Sequence, residues 1–85
     1  MWDWWKIINL DEIKKPDVPE RYLSFNLSGL GQTDVVVARG FNIMVLFQGY
    51  WLVPALNARN PFTQGNVGAF IDGDNNLWVG KKHEN

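Results

Sequence analysis

Alternating apolar and polar residues mark the first clear element of the chain. In the segment 22–28, Leu23, Phe25 and Leu27 are separated by tyrosine, serine and asparagine. This period of two predicts a strand with one buried face. The β-branched run at 35–38, Val-Val-Val-Ala, predicts a second strand, which an Arg-Gly pair ends.

The segment 41–47 carries the strongest strand signal. After Asn42 it reads Ile-Met-Val-Leu-Phe, which is apolar on both faces of a strand. A strand of that kind is either central in a sheet or part of an interface. Gly49 predicts a turn or bulge before a short strand at 50–53, and Pro54 ends the pairing or places it at a sheet edge.

The remainder of the chain reads as a loop and a hairpin. Residues 55–66 contain Asn-Pro and Gly-Asn turn signals and predict an extended loop. A strand at 67–72 then leads through a Gly-Asp-Asn-Asn turn into a strand at 77–79 that returns antiparallel. The pattern as a whole predicts a mostly β fold, a small antiparallel sandwich or barrel of five to six short strands.

The first twenty residues differ from this body. Trp2, Trp4, Ile8 and Leu10 fit a strand period with Lys6 as the exception, whereas Trp2, Trp5 and Ile8 also fit one face of a helix. We favour a strand or extended piece near 4–9, followed by a short helical turn at 10–15.

Two prolines, at 16 and 19, mark a boundary. We therefore divide the chain into an N-terminal docking arm at 1–20, a β-rich body at 21–80 and a polar tail at 81–85.

Charge is distributed unevenly along the chain. Residues 1–21 hold nine charged side chains, whereas residues 22–71 hold three. An 85-residue domain has too thin a core to bury fifty residues, so part of this charge-poor stretch must lie at the surface. Interface cores are depleted in charge and enriched in aromatic residues. We therefore expect this surface to face protein, in a homo-oligomer or among other subunits.

Aromatic residues make up 14% of the chain, and five of them are tryptophan. A small sandwich cannot easily bury five indoles, and exposed tryptophans anchor protein interfaces. The arm's tryptophans suit packing against another subunit or against the chain's own body. The predicted interface consists of Trp2, Trp4, Trp5, Phe41, Ile43, Val45, Phe47, Tyr50 and Trp51.

Two other uses of the aromatics stay open. Trp78 beside Asn75 and Asn76, or Trp51, offers a stacking platform with amide donors, as in a carbohydrate-binding module. The same apolar face also suits a small inhibitor that binds one foreign protein. A nucleic-acid partner is disfavoured, because eight basic residues against nine acidic ones leave a net charge of −1. A membrane span is not expected either, since the uncharged apolar segments are far shorter than about 20 residues.

Residues with catalytic or metal-binding chemistry are scarce. The chain has no cysteine and a single histidine, His83, close to its end. The segment 72–76, Asp-Gly-Asp-Asn-Asn, offers oxygen ligands of the kind calcium prefers, but it equally suits a tight hairpin turn. We predict no metal, no cofactor and no enzymatic activity.

In its general character the chain resembles small bacteriophage virion components. The resemblance lies in the N-terminal arm, the cysteine-free neutral body rich in asparagine and glycine, and the closing hairpin. It implies a viral structural protein located in a virion, as one member of a larger assembly.

Overall fold

The computed structural model describes residues 1–13, 21–40 and 42–83. These residues form a 3-10 turn and eight strands, arranged in two antiparallel four-stranded sheets. The turn covers Leu10–Glu12, and the strands are β1 (Trp2–Asn9), β2 (Arg21–Leu27), β3 (Gly31–Ala38), β4 (Asn42–Phe47), β5 (Tyr50–Leu52), β6 (Phe62–Gln64), β7 (Val67–Ile71) and β8 (Asn76–Lys82). The predicted mostly β, antiparallel fold is confirmed.

The first sheet, here called the meander sheet, has the order β2-β3-β4-β5. Each of its strands pairs with the next one along the chain, so short turns suffice to connect them. Gln48 and Gly49 both have positive φ, 51° and 84°, between β4 and β5. Two such residues make the type I′ turn that matches the twist of a hairpin. As predicted for a strand apolar on both faces, β4 is central.

The second sheet, here called the terminal sheet, has the order β1-β8-β7-β6. Its middle is the hairpin of β7 and β8 that the turn signals predict. The N-terminal strand β1 pairs with β8, and the pairing shifts between Lys6 and Ile8. A bulge of this kind changes which face the following residues occupy. It explains why Lys6 interrupts the strand period in the sequence.

The core lies between the two sheets and is closed by the 3-10 turn. Strict alternation sends every second residue of the central strands inward. The buried apolar residues form one continuous cluster: Leu10, Ile13, Val35, Val37, Ile43, Val45, Phe47, Leu52, Val67, Ala69, Ile71, Leu77 and Val79.

Part of the predicted interface requires correction. Ile43, Val45 and Phe47 belong to this core and are at most 2% exposed. They lie on the inner face of β4, where the terminal sheet covers them, so no partner protein can contact them in this fold. Phe41 lies outside the described residues.

The segment predicted as an arm takes part in the body's own sheet. Residues 2–9 are β1, and the 3-10 turn follows as the sequence indicates. Asn9 starts that turn, because its side-chain oxygen accepts a hydrogen bond from the backbone N–H of Asp11 at 2.9 Å. The boundary at the two prolines lies outside the described residues. The docking role of the arm stays a prediction.

Two details depart from the sequence pattern. The predicted loop at 55–66 contains the short strand β6, which pairs with β7. The predicted tail begins inside β8, since Lys81 and Lys82 continue the pairing with β1. These additions, together with β1, raise the number of strands in the described residues to eight.

Candidate functional site

Alternation leaves a second apolar layer on the outer side of the meander sheet. Because Ile43, Val45 and Phe47 point inward, Met44 and Leu46 point outward and are half-buried. In the register of the sheet, Val36 lies opposite Met44, and Leu46 lies opposite Trp51. We call this outer side the meander face; its strand residues include Tyr22, Ser24, Asn26, Gln32, Asp34, Val36, Met44, Leu46 and Trp51.

The two aromatic residues of the meander face are exposed. Trp51 is 48% exposed and Tyr22 is 63% exposed. Neither contributes to the core cluster, which is closed without them. Trp and Tyr at such positions carry a large share of binding energy in protein interfaces.

A single carboxylate lies in the meander face. Asp34 is on β3, one of the two central strands, and is 8% exposed. It accepts hydrogen bonds from the Tyr22 hydroxyl at 2.5 Å, from Ser24 Oγ at 2.9 Å and from Gln32 Nε2 at 2.9 Å. The Tyr22 hydrogen bond, followed by those of Gln32 and Ser24, lowers the pKa of Asp34 below its usual range. Asp34 is therefore ionised at neutral pH.

The other strand residues of the meander face are uncharged, so the charge of Asp34 has no counter-ion within the described part of that face. The three donors that hold it are neutral. A carboxylate has room for about four hydrogen bonds. Three of these are made by donors among the described residues, which leaves one acceptor position of Asp34 without a donor there.

The outer side of the terminal sheet, here called the terminal face, carries a cluster of aromatic rings. Trp2 and Trp4 are stacked with ring centroids 5.5 Å apart. Phe70 meets Trp4 edge to face at 4.9 Å and lies parallel to Trp78 at 6.0 Å. We call these four residues the aromatic cluster. All four are half-buried.

One glycine makes room for the aromatic cluster. Gly80 of β8 lies opposite Gly68 of β7. A Cβ atom at position 80 would lie 2.4–2.7 Å from three ring atoms of Trp4. One at position 68 would be in ordinary contact with the ring of Trp2 at 3.5 Å, and would instead crowd Phe62 O and Thr63 Cγ2 at 3.0 Å. Trp4 therefore lies directly on the backbone of Gly80, and a larger residue at that position would displace the ring.

The terminal face also carries two lysines at opposite ends of the cluster. Lys82 lies opposite Trp2, and Lys6 lies opposite Trp78. Both lysines are exposed. The indole N–H of Trp78 donates to Asp72 at 2.8 Å, so the carboxylate at this end of the sheet is occupied within the chain.

The loop at 72–76 is a hydrogen-bonded turn. Asp72 accepts from the backbone N–H groups of Asp74 at 2.8 Å and Asn76 at 2.9 Å, and from the Asn76 side chain at 3.1 Å. The Trp78 indole and these groups hold the pKa of Asp72 at about 2. Among the described residues, no three acidic, histidine or cysteine side chains are grouped in a way that would hold a metal ion. The geometry is that of a hairpin turn.

The amides predicted to contact a glycan are engaged within the chain. The side-chain nitrogen of Asn75 donates to Asp11 at 3.1 Å. The side-chain oxygen of Asn76 accepts from Asn9 at 2.9 Å, and its nitrogen is held by Asp72. These bonds fix the 3-10 turn to the hairpin. Trp51 lies on the other sheet from Trp78, so the two do not form one platform.

The remaining aromatics of the predicted interface serve the chain's own packing. Trp5 lies opposite Val79, whose side chain is in the core, and packs against the core cluster. Tyr50 is 40% exposed, but its ring lies against Gly65 in the β6–β7 turn. Both therefore hold elements of the fold together.

An apolar groove lies beside the aromatic cluster. It has a volume of about 180 Å³ and includes Val53, Pro54, Phe62 and Phe70 in its walls. Its walls come from the β5–β6 connection, from the first residue of β6 and from β7. The groove extends the apolar surface of this end of the molecule.

The sequence pattern missed several outward residues, namely Val36, Met44, Leu46 and Phe70. The signal was present: once 43, 45 and 47 are placed inward, the period of two requires 44 and 46 to face outward. The register that aligns these residues with Val36 and Trp51 is a property of strand pairing, which the local sequence does not encode.

No protein-family model, no curated protein and no solved structure matches this chain. In the described part of the chain, no helix has both the length and the apolar composition to cross a membrane.

Proposed function

We propose that this protein is a non-enzymatic structural or interaction protein that self-associates or docks into a larger assembly through its outer sheet faces. The observation that carries this proposal is the uncharged apolar row of the meander face. Trp51, Leu46 and Met44 lie outside a core that is closed without them.

The energetics of such a surface favour association. Burial of apolar area contributes about 25 cal/mol per Å² before the entropy of association is subtracted. A standard interface takes about 800 Å² from each partner, which is roughly a seventh of the 5579 Å² that this chain exposes. The three neutral donors around Asp34 keep the polar part of the face ordered before contact.

Measurement of molar mass in solution tests the proposal. We expect the wild-type chain to associate at micromolar concentration in light scattering or sedimentation equilibrium. Trp51→Glu places a charge at the β5 end of the apolar row, beside Leu46, and should weaken association by about 30-fold or more. The matched control is Leu56→Glu, because Leu56 is similarly exposed at 45% but lies in the β5–β6 connection.

Two outcomes would contradict the proposal of self-association. A wild-type chain that stays monomeric would remove it, and a Trp51→Glu variant that associates like the control would place the interface elsewhere. If the monomer instead captures one foreign protein in stoichiometric amount, the small-inhibitor alternative replaces it. The resemblance to small bacteriophage virion components makes a virion the first larger assembly to search for this protein.

A carbohydrate-binding module is the second alternative that the sequence raised. The aromatic cluster supports stacking, but the amides of Asn75 and Asn76 are used inside the fold. Binding on a glycan array that is lost in Trp78→Ala, with near-ultraviolet circular dichroism retained for the other tryptophans, would favour this alternative. An array without signal would exclude it for the glycans tested.

A further inference from the structure

We infer that copies of this chain associate head to tail, with the terminal face of one copy seated on the meander face of the next. This inference rests on the self-association proposed above and specifies which surfaces meet. The occupant of the meander face is thus a second copy of the chain. The charges that each face carries favour this arrangement over the pairing of like faces.

Pairing two meander faces around a two-fold axis is electrostatically unfavourable. In such an interface each copy contributes the same surface patch, so the patch must be complementary to itself. Asp34 is on a central strand of the patch, so the two carboxylates would approach each other. No cation on the outer side of the described strands would lie between them, because Arg21 of β2 lies opposite the inward Val37. Like charges brought together in an interface weaken association strongly.

Pairing two terminal faces meets the same difficulty with the opposite sign. Lys6 and Lys82 are the exposed cations at the two ends of the aromatic cluster. Asp72, which accepts from the Trp78 indole N–H of this face, also accepts from the backbone N–H groups of Asp74 and Asn76. Two copies joined through this face would bring ammonium groups together, and the outer side of the described strands β1, β8, β7 and β6 carries no carboxylate to separate them.

Placing a terminal face on a meander face resolves both problems. An ammonium group of one copy then fills the acceptor position left open at Asp34, while the half-buried rings of the aromatic cluster meet the apolar row of Met44, Leu46 and Trp51. Sheets that stack face to face pack about 10 Å apart, a distance that one layer of side chains from each sheet fills. Charge and apolar surface are matched in the same arrangement.

The two faces lie on opposite sides of the sandwich, because each is the outer side of one of its two sheets. A contact between different surfaces repeats from copy to copy. It closes into a ring if the rotation between copies allows and otherwise extends into a filament. The inference therefore predicts association that does not stop at a dimer.

Mixing two variants, each impaired on one face, tests this arrangement. Trp51→Glu disables the meander face and leaves the terminal face intact. Lys6→Glu combined with Lys82→Glu disables the terminal face through two exposed side chains that the core does not need. We expect each variant alone to be monomeric. The mixture should give a one-to-one heterodimer that does not grow, seen by native mass spectrometry.

A matched control and a second variant sharpen the test. Arg39→Glu combined with Arg59→Glu makes the same change of net charge in turns outside both faces, and should associate like the wild type. Asp34→Asn removes the charge of the meander face. Head-to-tail association should become about tenfold weaker in this variant, whereas pairing of two meander faces should become tighter.

The outcomes separate this inference from the proposal on which it rests. A monomeric wild type would remove both. A wild type that associates, together with a mixture that yields no heterodimer, would overturn the head-to-tail arrangement alone. Unchanged or tighter association of Asp34→Asn would overturn it as well.

Discussion

The contact between Trp4 and Gly80 gives a sharp test of the terminal sheet. We expect Gly80→Ala to destabilise the fold, although alanine is otherwise tolerated in a strand. A Cβ atom at position 80 would lie 2.4, 2.5 and 2.7 Å from three ring atoms of Trp4. Carbon atoms in contact are about 3.5–4.0 Å apart, so the ring must retreat by about 1 Å. Because β8 is paired on both sides, the backbone cannot move instead.

The magnitude follows from the contacts that the ring makes. When Trp4 moves, its stack with Trp2 and its edge contact with Phe70 are both disturbed. Aromatic pairs contribute about 0.5–1.5 kcal/mol each, so losing both costs about 1–3 kcal/mol. Replacing glycine by alanine returns about 0.4–1 kcal/mol by restricting the unfolded chain. We therefore expect the free energy of unfolding to fall by about 1–2 kcal/mol.

Urea denaturation monitored by tryptophan fluorescence measures this change, at a protein concentration low enough to avoid association. Gly73→Ala is the matched control, because its Cβ would meet no atom within 4 Å and its φ is not positive. We expect this control to leave stability unchanged or to raise it slightly. Near-ultraviolet circular dichroism should change in Gly80→Ala and stay constant in the control.

A double-mutant cycle assigns the effect to the ring itself. In a Trp4→Ala background the space above Gly80 is open, so Gly80→Ala should no longer destabilise. A coupling energy of about 1–3 kcal/mol between the two positions is expected, equal to the cost of the lost aromatic contacts. If Gly80→Ala equals the wild type in stability, or costs the same with and without the indole, the description of the terminal face is wrong.

Three further substitutions test the core and the turn. Leu52→Ala should lower the free energy of unfolding by about 2–5 kcal/mol, because Leu52 is fully buried; Leu56→Ala, at 45% exposure, should change it by less than about 0.5 kcal/mol in the same urea titration. Thr33→Val should retain or increase stability by about 1 kcal/mol, since the buried Oγ1 of Thr33 has no hydrogen-bond partner among the described residues. Asp72→Asn should reduce the loss in the free energy of unfolding that accompanies a fall in pH below about 4. The folded pKa of Asp72 is about 2 against about 3.9 when unfolded, so its stabilisation is present above pH 4 and is lost as the pH falls towards 2. Part of this pH dependence should remain in the variant, because the pKa of Asp34 is also lowered in the folded protein.

Most of the strands could be predicted, because the pattern that specifies each of them lies within a short stretch of the sequence. The alternation at 22–28, the β-branched run in β3 and the turn residues around positions 48 and 73 each fix an element within a few residues. β6 was not predicted, since three residues at a sheet edge leave no periodic pattern. The pairing of β1 with β8 joins residues about seventy positions apart, and no local signal specifies it.

The candidate surfaces were predicted only in part, for the same physical reason. A strand that is apolar on both faces, such as β4, indicates that something covers each face, but not which residues point which way. The inward set, Ile43, Val45 and Phe47, was assigned to an interface, whereas the terminal sheet buries it. The bulge after Lys6 likewise turns Trp2 and Trp4 to the opposite face from Ile8, a change that depends on pairing with β8.

The outward apolar residues of β4 support the interaction proposal because the fold does not need them. Two stacked sheets leave a core about 10 Å thick, which takes one layer of side chains from each sheet. That layer is supplied by residues 43, 45 and 47, so polar side chains at 44 and 46 would leave the core intact. The chain instead carries Met44 and Leu46 there, in register with Val36 and Trp51. Such a row adds nothing to the core between the sheets, and the part of its apolar area that is still exposed is buried only when another surface covers it.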